Sequence, residues 1–285
     1  PFLPGFVFSS FSVCQPMLSA LIQKLDSLEP LSDEAMSRLA RLPVRLANFV
    51  PHEELVVEAR PRGDVRVVVE GVAARVKLLD AGGRQAILGL LLPGDVDDSD
   101  AFVETLDHGI VAITACRIAQ LPRLAFEQLL LDFPDVGRAF RRMARQSEAI
   151  ARVWLANMGQ RSADRQGAHL LCELRTRLSA VGMGESDGFT NPLTQEHLAN
   201  ALGISAVHMN RVMQHLRELG LIRVNGRLLR FPSARKIEEY AGFDPAYLAA
   251  EGRAAAPNEE GNAGAPRRER RAAAGDGHSI AVERE

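Results

Sequence analysis

The sequence is short of cysteine: three in 285 residues, Cys14, Cys116 and Cys172, far apart and without metal-type spacing. That argues against a disulfide framework and against a cysteine-rich zinc or iron–sulfur site. A reducing cytoplasm is the simplest compartment for such a chain. No apolar run approaches the roughly 20 residues of a membrane span, so no membrane partner is expected. A surplus of one charge is also missing, since 34 Lys and Arg oppose 36 Asp and Glu for a net charge of -2. With no global basic field, any contact with nucleic acid must come from a local patch. The apolar opening Pro1 to Val13 has no basic residues before it, which argues against a signal peptide. Position 1 is Pro rather than Met. The beginning is therefore expected to be an accident of how the gene was delimited. No phosphate-cradling glycine loop and no nucleophile elbow is found. No catalytic residue is assigned, and no enzyme is expected.

What the chain does have is periodicity. Residues 17–49 read as helical, with Leu18, Leu21, Ile22, Leu25 and Leu28 on one face. Pro30 breaks the pattern, and Ser32, Asp33 and Glu34 open a short helix through Leu42. From Glu54 to Pro122 the sequence breaks into short Val/Ile/Leu runs: 55–57, 65–69, 72–79, 86–92, 110–114 and 118–121. Turns at Pro61-Arg62-Gly63-Asp64, Asp80-Ala81-Gly82-Gly83 and Pro93-Gly94-Asp95 separate several of them. Such spacing suggests an antiparallel barrel or roll. A long helix follows over Pro134 to Asn157. Phe140, Met143, Ser147, Ile150 and Trp154 recur along it at alternating steps of three and four, the pattern of a heptad seam. They are the expected homodimer interface; the alternative is a helix packed only on its own roll. Another helix covers Ser162 to Val181, and Gly182 to Gly188 reads as a loop.

Residues 193–219 read as two short helices joined by a tight turn. Thr194 stands at one N-cap and Ser205 at the next, with Gly203 breaking the run between them. In the second helix Met209, Val212, Met213 and Leu216 form an apolar stripe. The opposite face carries Val207, Arg211 and Gln214, flanked by Ala206, His208 and Asn210. Arg matches guanine, Asn and Gln match adenine, and a small apolar group suits the thymine methyl. This is the form of a helix-turn-helix that places its second helix in the major groove; the alternative is an ordinary amphipathic helix. Asn225-Gly226, between Leu221–Val224 and Arg227–Phe231, predicts a hairpin. As a wing it would carry Arg223, Arg227 and Arg230 to phosphates. From Ala249 on, large apolar residues are almost absent and a disordered tail is expected. Its cluster Arg267, Arg268, Arg270 and Arg271 reads as solubilising rather than DNA-binding.

This order resembles the cyclic-AMP-receptor / fumarate–nitrate-regulator (Crp/Fnr) superfamily of bacterial transcription regulators. The resemblance is carried by Glu70-Gly71 through Leu92-Leu-Pro-Gly-Asp, by Arg161-Ser-Ala with His169-Leu-Leu-Cys-Glu-Leu, by Pro192 through Arg211, and by Ala241 through Leu248. It implies an α+β fold: a cyclic-nucleotide-binding-like β-roll (17–133), a dimerisation helix (134–158) and a winged helix-turn-helix (159–249). An extension (1–16) and a tail (250–285) flank these. It also implies a homodimer on a palindromic operator in double-stranded DNA, with RNA polymerase as a further partner. Thr194 and Gln195 match phosphate contacts of the family. Ser205, Ala206, Val207, His208, Asn210 and Arg211 match its base and phosphate contacts, and Arg211 its base-reading Arg. Val207 departs, because many members place there a Glu that accepts from cytosine.

The effector site departs further. Nucleotide-binding members have Phe-Gly-Glu after Pro-Gly-Asp and an Arg about ten residues on. Here Asp97-Asp98-Ser99 follows, no Arg or Lys occurs from Val96 to Cys116, and Asp100, Glu104 and Asp107 add negative charge. A phosphate would be repelled, so no cyclic-AMP binding is expected and the effector is left open. Cys14 alone cannot replace the iron–sulfur variant's cysteines. His52 and His108 in the sensor region read as surface or structural rather than haem ligands, and His169 with Cys172 as packing. No cofactor and no metal are assigned. The competing function is a small-molecule-binding signalling module whose helix-turn-helix is vestigial.

Overall fold

The computed structural model describes residues 17–58, 63–80, 83–97, 107–185 and 187–249. The expected extension, the tail from 250 on, and Asp98, Asp100 and Glu104 lie outside them. Helix α1 (Ser19–Leu28) buries Leu21, Leu25 and Leu28. Helix α2 (Asp33–Ala40) starts where predicted, with the Ser32 hydroxyl accepting from the Ala35 N–H. The helical reading of 17–49 fails beyond this point. Pro43 cannot continue a helix, and Arg45–Phe49 is strand β1. Its residues Arg-Leu-Ala-Asn-Phe do not alternate apolar with polar, with Leu46 exposed and Ala47 and Phe49 half-buried, so nothing in the sequence announced it.

The roll is built from β2 (Glu54–Val56), β3 (Val65–Glu70), β4 (Ala73–Leu78), β5 (Gln85–Leu91), β6 (Gly109–Ala112) and β7 (Cys116–Leu121) together with β1. They form two antiparallel sheets, ordered β1-β7-β3 and β2-β6-β4-β5. The Pro93-Gly94-Asp95 turn lies hard against α1. Gly94 has φ +86°, and a Cβ there would stand 2.7 Å from the Ala20 carbonyl oxygen, so the turn needs glycine twice over.

After α3 (Arg123–Asp132) comes the long helix α4 (Pro134–Gln160). Its predicted seam does not face outward. Phe140 and Met143 pack with Leu21, Leu25, Val67 and Leu121 in the core under α1 and the roll. Ile150 and Trp154 belong to a second core, shared with Val72, Val76 and Leu90 of the roll and with the C-terminal helices. Ser147 is half-buried. A 3,4 pattern marks one apolar face but cannot say which neighbour covers it. The side of α4 left open carries Ala151, Leu155 (69% exposed) and Met158 (50% exposed).

The C-terminal part comprises α5 (Ala163–Ser179), β8 (Gly184–Glu185), β9 (Gly188–Thr190), α6 (Gln195–Leu202), α7 (Ala206–Glu218), β10 (Arg223–Asn225), β11 (Leu228–Arg230), α8 (Ala234–Ala241) and a closing 3-10 turn, Pro245–Leu248. The stretch read as a loop, 182–188, instead supplies β8 and the start of β9. These extend the hairpin into a four-stranded sheet, β10-β11-β9-β8. Gly188 permits this, because a Cβ there would fall 2.2 Å from the Leu229 carbonyl oxygen.

Charges are buried where these parts meet. Asp95 accepts from the Leu92 N–H at 2.7 Å and from Arg177 Nη2 at 2.7 Å, and it pairs with Lys24. Burial alone would raise its carboxyl pKa, but Lys24 and Arg177 outweigh burial and hold it well below the usual carboxylate range. Nearby, His169 packs edge-on against Phe243 and stacks on Tyr247. The Cys172 thiol, also buried, is pushed up to about 12 by its surroundings. Both residues therefore serve packing. Burial, reinforced by the charge of Arg161, pulls the His169 pKa down to about 4. Because that lies below the unfolded value, its contribution is intact above about pH 6.5 and is lost as pH falls towards 4, by up to about 3 kcal/mol. Urea denaturation between pH 7.5 and 4.5 should show this loss, and His169→Leu should flatten it; an unchanged slope in the variant would put the proton elsewhere.

Candidate nucleic-acid interface

Each element of the helix-turn-helix is held by its own caps. The Thr194 hydroxyl accepts from the His197 N–H at 3.2 Å, and His197 Nδ1 accepts from the Thr194 N–H at 3.3 Å, a reciprocal capping box. Gly203 ends α6 in the left-handed region at φ +65°, and the Ser205 hydroxyl caps α7 by accepting from the His208 N–H at 3.2 Å. The predicted stripe is buried: Met209, Val212, Met213 and Leu216 fasten α7 to the core. Ser205, Ala206, Val207, His208, Asn210, Arg211 and Gln214 are all exposed on the other side, Val207 at 65%. Thr194 is exposed and Gln195 half-buried. Asn210 Nδ2 donates to Gln195 Oε1 at 3.0 Å, so these two predicted contact residues brace one another across the turn.

A groove along α7 is lined by Ser205, Val207, His208, Arg211 and His215, with Asp164 of α5 at its edge. His215 was not foreseen. Its place four residues after Arg211 and seven after His208 was the available signal, since those spacings return to one helix face. In the wing, Arg223 and Arg227 are exposed beside the Asn225-Gly226 turn. Arg230 differs from the expectation. It is bound to both oxygens of Asp187, at 2.9 and 2.7 Å, and to Glu185 at 3.0 Å. These acids come from the unforeseen strand pair, and they engage the guanidinium that was assigned to phosphate.

The sensor end also differs in one respect. Asp97 does have a basic partner: the Arg66 N–H and guanidinium donate to it at 2.9 and 3.2 Å. Arg75 reaches the Val96 carbonyl at 3.1 Å. Both arginines come from earlier strands, where a scan of the 96–116 segment cannot see them. Asp107 is hydrogen-bonded to His108 Nδ1 at 2.8 Å, and His52 sits in the turn between β1 and β2. Among the described residues no three His, Cys, Asp or Glu side chains converge as a metal-ligand set, and no helix is long and apolar enough to cross a membrane.

Residues 168–240 match the family model of the Crp-like helix-turn-helix domain. The transcriptional activator protein FnrL of Cereibacter sphaeroides is 31% identical over 185 residues, covering 63% of this chain and 73% of FnrL. The nitrogen fixation regulation protein FixK of Bradyrhizobium diazoefficiens is 30% identical over 216 residues, covering 75% and 86%. Among solved structures, FixK2 from Bradyrhizobium japonicum superposes with a TM-score of 0.61 at 21% identity, over 70% of this chain and 98% of that one. The likeness of structure is one of fold: an N-terminal sheet domain followed by a helix-turn-helix domain.

The arginines of the wing are unequally engaged, Arg230 being held by Asp187 and Glu185 while Arg223 and Arg227 are exposed. Arg227→Ala should weaken binding to all duplexes alike and reduce the salt slope by about 1. Arg230→Ala should leave that slope nearly unchanged while loosening the wing, seen as faster amide exchange in β8 and β11. Equal losses of salt slope would contradict the ion-pair assignment.

Proposed function

The chain belongs to the Crp/Fnr family of DNA-binding transcriptional regulators, and from that premise we propose that it works as a homodimer on a two-fold symmetric operator, without cyclic AMP. The observation that carries the reading is α7, whose apolar stripe is fully used in the core while its opposite face is exposed along its length. Arg211 reads a guanine from that face, with Asn210 and Gln214 beside it and Thr194 and Gln195 on the flanking phosphates. Val207 offers a methyl-sized apolar contact where an acid would be needed to accept from cytosine. Arg223 and Arg227 set the domain on the backbone. FnrL is named a transcriptional activator, which supports RNA polymerase as a further partner, and the cysteine pattern supports a cytoplasmic setting.

In this reading the dimer interface is the open side of α4. Ala151, Leu155 and Met158 stand four and three residues apart, so they line one side of the helix. Two such helices side by side would bury them, where Phe140, Met143, Ile150 and Trp154 already have partners within their own chain. Against cyclic AMP stand the absence of any Arg or Lys from Val96 to Cys116 and the ion pair that Asp97 makes with Arg66. The roll is also filled, because Leu55, Val68, Leu91, Ile110 and Ile118 pack together between its two sheets, while Val72, Ala74, Val76, Leu90 and Val111 on the other face of one sheet share a core with Trp154, Leu170 and Leu198.

Selection of bound duplexes from a random pool should enrich an inverted repeat. Arg211→Ala should then cost about 1–3 kcal/mol and relax one base pair of each half-site, whereas Val207→Glu should shift one position towards cytosine. Sedimentation should find a dimer that Leu155→Glu with Met158→Glu converts to monomer, and titration with micromolar cyclic AMP should give no saturable heat. Enrichment of no motif at modest salt would defeat the reading.

A further inference from the structure

The two helices that a dimeric reading depends on, α4 for pairing and α7 for DNA, lie on either side of one elbow, between α4 and α5. Arg161 and Ser162 alone separate the end of α4 from the start of α5. A two-residue elbow could swing, yet this one is tied on several sides. The guanidinium of Arg161 donates to the carbonyls of Ala241 and Gly242 and so caps the end of α8. Gln166 Nε2 returns to the Arg161 carbonyl at 2.8 Å.

The strongest tie crosses the elbow at Glu173, which is wholly buried. One of its carboxylate oxygens accepts from Trp154 Nε1 of α4 at 3.0 Å and from the Tyr247 hydroxyl of the closing turn at 3.0 Å. The other accepts from Arg177 Nη1 at 2.9 Å. Arg177 carries the chain of contacts into the roll, donating to Asp95 and to the Leu90 carbonyl, each at 2.7 Å. Gln146 of α4 closes the loop by donating to the Leu248 carbonyl. None of Trp154, Glu173, Arg177 and Tyr247 lies on the DNA-reading face. A carboxylate in such a place is costly to bury, and its retention needs these partners in these positions.

We infer that Glu173, held by Trp154, Tyr247 and Arg177, fixes the angle between α4 and α7 and thereby sets the spacing between operator half-sites. These are positioning residues for DNA recognition. Arg211 and its neighbours choose the bases within a half-site, while the brace chooses how many base pairs separate two half-sites. Spacing is a geometric property of a dimer, because two recognition helices can enter successive major grooves only at a fixed separation. A loose elbow would let the second helix reach several spacings, at a lower effective concentration for each. The inference rests on the dimeric reading above.

The test uses the full chain and duplexes carrying the selected half-site as an inverted pair, with the spacer varied one base pair at a time. Two variants loosen the brace differently. Trp154→Phe with Tyr247→Phe removes two donors and keeps both charges, and it leaves a cavity where the indole stood. Glu173→Gln with Arg177→Met removes both charges together, so neither is left buried alone. Wild type should prefer one spacer by about tenfold over its neighbours, and either variant should bring neighbouring spacers to within about threefold. The base preference inside each half-site and the salt slope should stay as in wild type. Retention of the sharp spacer preference in both variants would overturn the inference. So would erosion of base preference in step with spacing, which is the mark of a merely structural role. If wild type enriched single half-sites only, the dimeric reading would fall first and the inference with it.

Discussion

Arg177 is the residue on which the arrangement of the molecule turns. It lies on the first helix of the DNA-binding part, and its guanidinium holds a carboxylate of that same helix, Glu173, and one of the sensor roll, Asp95. All three side chains are almost completely withdrawn from water. Charges in that condition must be matched or the fold pays several kcal/mol. Lys24 from the first helix completes the match at Asp95. The Pro-Gly-Asp turn therefore has a mechanical role here: it presents Asp95 to the rest of the protein, and Gly94 lets the turn come close enough to α1 to do so.

From that junction the two working surfaces follow. The roll, α5 and the C-terminal turn cover the inner side of α4, which takes Ile150 and Trp154 out of circulation and leaves Leu155 and Met158 as the apolar side. The same core takes up the Met/Val/Leu stripe of α7, so that helix can present only its polar face outward. On the reading proposed above, recognition and assembly are two consequences of one packing arrangement. The groove beside Arg211 also gains His215, which lines it because α7 is seated as it is.

Much of this was legible in the sequence. The caps at Thr194, Ser205 and Ser32 and the stop at Gly203 are local chemistry, settled within a few residues. The Asn225-Gly226 hairpin and the short strands between Glu54 and Pro122 are likewise written in periods and turn residues. What escaped was non-local. Strand β1 carries no alternation and exists because β7 offers it an edge. Strands β8 and β9 are two and three residues long and exist because β11 pairs with β9 and β9 in turn with β8. Arg230 was assigned to phosphate because its acidic partners lay in that unrecognised segment.

The sequence by itself determined the order of the main parts, the family, and which face of α7 meets the solvent, since these rest on local spacing and turn chemistry. It could not decide which neighbour would cover the heptad stripe of α4. A stripe at 3,4 spacing looks the same whether its partner is a second copy or the chain's own roll. Nor could it join Lys24 to Asp95, or Asp95 to Arg177, across separations of 71 and 82 residues. Those choices belong to the tertiary structure, because the partner that satisfies a buried charge is fixed by packing in space and leaves no periodic trace along the chain.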